Sequence, residues 1–126
     1  MSLKDEVEKI PELKNIGLAL VDYALSLFQG IEFEKSGTRW VARPKNYVTF
    51  EVHWKRAKNI VISLRGNPSE FLAFDELPLK QGMAGYSECK ITKPGQLAAA
   101  STYIRRAAEI YQRGRERERT TPRVVE

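Results

Sequence analysis

Apolar and polar residues alternate through Val48, Phe50, Val52 and Trp54, with Thr49, Glu51, His53 and Lys55 between them. Successive strand side chains point to opposite faces, so the pattern predicts a strand with one dry and one wet face. A second run repeats it, with Ile60, Ile62 and Leu64 set against Val61, Ser63 and Arg65. The connector Lys55-Arg56-Ala57-Lys58-Asn59 is compact and polar, which suits a hairpin. Asn59 tolerates the left-handed conformation that such turns often need. Upstream, Trp40 and Ala42 alternate with Arg39, Val41 and Arg43 until Pro44. Proline cannot donate to a ladder, so it marks a turn or an edge. Three antiparallel strands are predicted here, with an aromatic and aliphatic inner face.

Helical spacing frames these strands. Ser2 is a good cap for a first helix reaching Lys9, with acidic residues in its opening turn. From Pro11 to Phe28 the residues Leu13, Ile16, Leu20, Ala24 and Leu27 recur on one face, widened by Leu18, Val21, Leu25 and Phe28. Gln29-Gly30 ends that helix, and Ile31 to Lys35 reads as a short strand or a lead-in to one. After the hairpin, Arg65 to Ser69 is a breaker cluster, and Asp75 to Tyr86 reads as a long loop. Ser87 to Ile91 is one more strand, with Cys89 and Ile91 inward and Glu88 and Lys90 outward. Thr92-Lys93-Pro94 caps a last helix from about Gly95 to Arg113, whose expected buried face is Leu97, Ala100, Ile104, Ala107, Ala108 and Tyr111.

Two apolar helices need a sheet face to cover. The expected fold is therefore α+β, a two-layer sandwich with a mostly antiparallel sheet of about four to five strands and the N- and C-terminal helices packed on one face. Residues 1–113 form one domain in this reading, and 114–126 form a charged flexible tail.

Length and composition narrow the function classes. A chain of 126 residues with 42% hydrophobic and 29% charged residues can bury a core without staples. One cysteine, Cys89, excludes an internal disulfide, and with one histidine no common zinc set is available. No apolar run approaches a membrane span and no greasy leader opens the chain, so a cytoplasmic protein with no membrane partner is expected. No cofactor and no metal are expected either. The net charge is +5, but Arg113 to Arg123 holds five arginines against two glutamates. Without that surplus of three the rest stands at only +2, so the domain itself is mildly basic.

Four stretches resemble a small domain family of unknown function once labelled "predicted transport protein", found alone or beside restriction-like and other DNA-acting modules. They are the helix VDYALSLFQG, the hairpin YVTFEVHWKRAKNIVISL, the loop and strand start from Gly82 to Glu88, and the closing helix Leu97 to Tyr111. The His-Trp-Gly type sequence associated with that family's loop is absent here. The resemblance implies an α+β fold and a role near nucleic acid. It supplies no catalytic residues, and nothing in this chain could form the membrane path that the transport label suggests.

Candidate chemistry lies on the wet face and at the hairpin tip. Arg39, Arg43, Lys55, Arg56, Lys58 and Arg65 are expected to contact phosphate, with Trp54 as a stacking residue. The leading expectation is thus a non-enzymatic nucleic-acid-binding module. An alternative is a Mg²⁺-dependent nuclease built on Asp75, Glu88 and Lys90, which have the outline of an acid, a gap and Glu-x-Lys. A third is a homodimer or other protein-interaction module that buries the open face. A solvated face laced with cross-strand ion pairs is the plainest use of the same residues. His53 and Glu51, one strand step apart, could form an acid–base pair, but no nucleophile is placed beside them.

Overall fold

Among the described residues, three helices cover one face of a six-stranded antiparallel sheet and leave the other face open. The structure, a computed structural model, describes the backbone of residues 1–120 and the side chains of residues 1–115. The elements are α1 (Leu3–Val7), α2 (Lys14–Ser26), β1 (Glu32–Ser36), β2 (Arg39–Arg43), β3 (Val48–His53), β4 (Asn59–Arg65), β5 (Lys80–Gln81), β6 (Tyr86–Ile91) and α3 (Leu97–Thr120). The strand order is β1-β2-β3-β4-β6-β5.

Each predicted alternation becomes a strand. Trp40, Phe50, Val52, Ile60, Ile62, Cys89 and Ile91 are buried on the inner face. Register puts Val41, Thr49, Ser63 and Glu88 side by side in one row across the outer face. Glu34 on β1 and Lys80 on β5 extend that row to both edges. The sheet has one more strand than expected. Lys80–Gln81 is too short to leave a period-two signal, and Pro78 and Gly82 bracket it inside what reads as a loop.

Helix α1 begins with a reciprocal cap. The Asp5 amide donates to Ser2 Oγ at 3.2 Å, and the Ser2 amide donates to Asp5 Oδ2 at 2.8 Å. These bonds hold the Asp5 carboxyl below its usual range. Helix α2 buries Ile16, Gly17, Leu20, Val21 and Ala24.

Helix α3 lies against α2 and β4 through Ala100, Tyr103, Ile104, Ala107, Ala108 and Tyr111. Its short alanine side chains allow close approach to the sheet. Leu97, expected inside, is instead exposed. The 3-10 turn Pro94–Gln96 precedes it and turns Gln96 inward. There Gln96 Oε1 accepts from the Thr92 and Lys93 amides while Nε2 donates to the Glu76 carbonyl. Tyr103 does the packing that Leu97 was expected to do. Its hydroxyl donates to the Leu77 carbonyl and accepts from the Phe74 amide, both at 2.7 Å, and so pins segment 71–77 to α3.

Helix α3 also continues past the expected end near Arg113, through Gly114 to Thr120. Arginine and glutamate are strong helix formers, and an established helix adds residues more readily than it starts. The rest of the expected tail, 121–126, lies outside the described residues.

Candidate nucleic-acid interface

The β3–β4 turn carries Trp54, Lys55, Arg56 and Lys58 at one end of the sheet. The left-handed residue in that turn is Lys58, at φ 49°, and not Asn59. Asn59 opens β4 opposite His53, and its side chain is buried. Its Oδ1 has no hydrogen-bond partner among the described residues.

Trp54 does not stand free. Lys9 Nζ sits 3.9 Å from its ring centroid and Lys55 Nζ 5.3 Å. The half-buried indole therefore holds two ammonium groups in place by cation–π attraction. This corrects the expectation of Trp54 as an open stacking surface, because Lys9 already covers the ring.

Lys9 reaches the ring because α1 is tied to the sheet. The buried Glu6 carboxylate accepts from Lys35 Nζ on β1 at 2.9 Å and from Trp40 Nε1 on β2 at 3.1 Å. The result is a groove of about 760 Å³ between α1, the β1–β2 turn and the β3–β4 turn. Lys9, Lys35, Thr38, His53, Lys55 and Arg56 line it. Lys9, Lys55, Arg56 and the neighbouring Lys58 are exposed and make no ion pair among the described residues.

The open sheet face has a different electrostatic character. Arg39 Nε lies 3.7 Å from Glu51 Oε2, Arg43 Nε 3.9 Å from Glu34, and Lys80 Nζ 3.7 Å from Glu88. Glu51 also meets His53 Nε2 at 2.8 Å and accepts from Thr38 Oγ1 at 2.7 Å. The acid–base pairing of His53 with Glu51 thus exists, and its carboxylate is shared with Arg39 and Thr38. These cross-strand pairs balance the face, as partly exposed ion pairs do at little net energy. Near its middle lies a depression of about 160 Å³, where the short side chains Val41, Thr49 and Ser63 meet the longer Arg39, Arg43, Asn46, Met83, Tyr86 and Glu88.

The expected phosphate-binding residues divide between two ends. Trp54, Lys55, Arg56 and Lys58 belong to one turn, and Arg39 starts β2 on the same side, beside Thr38. Arg43 lies four residues along β2, about 13 Å away at strand rise. Arg65 is at that far end too. Its guanidinium sits 5.4 Å from the Tyr86 ring centroid and 5.3 Å from that of Tyr111, and Nη1 donates to Tyr86 Oη at 3.1 Å. It is engaged by two rings and is not a free cation.

The residues of the nuclease alternative lie on two different segments. Glu88 and Lys90 share the outer face of β6, whereas Asp75 sits on the segment that Tyr103 pins to α3. Among the described residues no group of three or more His, Cys, Asp or Glu could hold a metal ion. Cys89 is buried on the inner face, and burial pushes its thiol up to about 12.

Sequence reasoning missed Lys9, Lys35 and Thr38 in the groove and Asn46, Met83 and Tyr86 around the depression. Lys9 follows an apolar stripe and looks like any solvated lysine; only the fold-back of α1 brings it to Trp54. No helix of the described residues is long and apolar enough to cross a membrane. Compared with known proteins, the chain matches no family model, no curated protein and no solved structure, so the family resemblance rests on the sequence pattern alone.

Proposed function

We propose that this chain is a small non-enzymatic binding module that takes nucleic acid by its phosphates at the hairpin end of the sheet. The observation that carries the reading is a set of four exposed cations, Lys9, Lys55 and Arg56 lining one groove and Lys58 beside it in the turn, in no ion pair among the described residues. Such cations replace the counterions condensed on a nucleic acid, and the release of those ions drives binding. Trp54 acts as a positioning residue, since it holds the Lys9 and Lys55 ammonium groups near one another against their mutual repulsion.

Arg39 extends the surface along β2 on leaving Glu51, and Arg43 and Arg65 contribute at the far end on leaving their own partners. The open face, polar and ion-paired, suits a hydrated polymer better than a second copy of the chain. The reading calls for no cofactor and no metal, and it goes with a cytoplasmic module.

The test is fluorescence anisotropy with short labelled single-stranded and duplex oligonucleotides, titrated in salt. Four phosphate contacts on a single strand predict a slope of log K against log salt of about −3. A variant with Lys55, Arg56 and Lys58 all changed to Ala should lose most of that slope. An absence of binding at low salt, or an affinity indifferent to salt, rejects the reading.

A further inference from the structure

The depression on the open face is a concave feature that the phosphate-binding end does not use. It is of the size that takes one aromatic ring: a cavity of about 150 Å³ holds benzene, and this one measures about 160 Å³. It opens to solvent from the sheet face, between Arg39 and Arg43 on β2 and the β5–β6 turn that carries Met83.

Its chemistry is amphiphilic. Thr49 is buried although it lies on the outer face, and Ser63 is its cross-strand neighbour. The side chains of Thr49, Ser63 and Asn46 make no hydrogen bond within the protein among the described residues. They can donate or accept at the edge of a planar heterocycle. Tyr86 supplies an aromatic ring held still by Arg65, whose guanidinium lies 5.4 Å from its centroid and donates to its hydroxyl. Met83, two-thirds exposed, is a soft apolar lid residue over the same space.

The depression is linked to the basic groove through one carboxylate. Arg39 lines the first, Thr38 and His53 line the second, and Glu51 contacts all three. A polymer leaving the groove along β2 passes Arg39 and reaches the depression within a few residues' rise.

Resting on the nucleic-acid reading, we infer that the open-face depression holds one unstacked base of a single strand whose phosphates run along Arg39 to the hairpin end. The base packs against Tyr86 and Met83, and Thr49, Ser63 and Asn46 meet its polar edge. A duplex keeps its bases stacked and paired and cannot fill the depression, so the chain prefers single strands. Loss of one base–aromatic contact weakens binding roughly ten- to hundredfold.

The experiment compares single-stranded DNA and RNA with the matching duplexes by anisotropy at one salt concentration. It uses the full chain, Ser63→Ile, Tyr86→Leu and the triple alanine variant at Lys55, Arg56 and Lys58. Ser63→Ile fills the floor of the depression with a good strand former, and Tyr86→Leu removes the ring; melting curves check that both fold. The expected result is single-strand preference in the parent chain. Each depression variant should lose about tenfold or more on single strands and little on duplex, with the salt slope unchanged. Equal affinity for single strand and duplex in the parent overturns the inference. So does a single-strand affinity within about twofold of the parent for both depression variants, while the triple variant still loses binding. In those cases the phosphate-binding reading stands. No binding of any probe at low salt overturns both.

Discussion

Gly17→Ala is a substitution that helix propensity alone favours and this structure opposes. Gly17 is buried within α2, where alanine in place of glycine stabilises an isolated helix by about 1 kcal/mol. A Cβ at Gly17 would land well inside van der Waals contact distance of Val7 Cγ1 and 3.0 Å from Ile60 Cδ1. Both neighbours are fully buried, and Val7 is β-branched and stiff about χ1. Overpacking of this kind costs about 1–3 kcal/mol, or more where nothing yields. Here α1 would have to move off α2, against the bonds from Glu6 to Lys35 and Trp40. The net expectation is a loss of about 1–2 kcal/mol, read as a melting temperature lowered by roughly 4–8 °C for a chain of this size. Circular dichroism melts and urea titrations measure it. Pairing Gly17→Ala with Val7→Ala should recover part of the loss, with a coupling of about 1 kcal/mol or more. Because α1 carries Lys9, Gly17→Ala should also weaken oligonucleotide binding. A more stable Gly17→Ala, or strict additivity with Val7→Ala, would refute the packing argument.

Tyr103→Phe strands the Phe74 amide and the Leu77 carbonyl, and is expected to destabilise by about 2–3 kcal/mol and to speed hydrogen exchange at Phe74. Cys89 is held protonated by burial, with the Glu88 charge adding to the effect, up to about 12 against an unfolded value near 9.0. From about pH 9 to 12 the unfolded chain releases a proton that the folded chain keeps, so stability falls as pH rises, by up to about 1.4 kcal/mol per unit. Tyr47, raised by burial as well, steepens the fall above pH 10.0, and Cys89→Ala should flatten the part due to the thiol in urea melts at stepped pH. Deleting residues 114–126 is expected to change stability by less than about 0.5 kcal/mol, since Gly114 and Arg115 are exposed, while lowering the salt slope of binding. A large drop in melting temperature on that deletion would contradict the assignment of the last core contact to Tyr111.

The outer face of the sheet is legible in the sequence because period-two alternation assigns a side to every residue once the strands pair. Arg39, Glu51, His53, Ser63 and Glu88 read outward and lie outward. Hairpin cations are legible for the same reason, since a polar turn between two alternating runs has nowhere to bury its charges. The groove is not legible, because it depends on Glu6 reaching Trp40 across 34 residues, a pairing with no local signature. Trp54 misleads in the same way: an aromatic beside cations reads as a free stacking surface until Lys9 comes over its ring. Leu97 and Tyr103 exchange roles because the helix entry at Pro94–Gln96 sets the phase of the first turn, and Gln96 takes the inward position. The two-residue β5 has too few positions to alternate, and it forms because β6 offers an edge for Lys80 and Gln81 to pair with.

The central claim is that nucleic acid meets this protein at the hairpin end, and a residue-resolved NMR titration with a short single-stranded oligonucleotide tests it most directly. The two indole N–H groups serve as opposed reporters. That of Trp40 is buried against the Glu6 carboxylate on the inner wall of the groove, while Trp54 lies under Lys9 and Lys55 at its rim. The account predicts large shifts at Lys9, Thr38, Arg39 and Trp54 to Lys58, with the Trp40 indole nearly still. Shifts confined to other surfaces, or none at low salt, would contradict it.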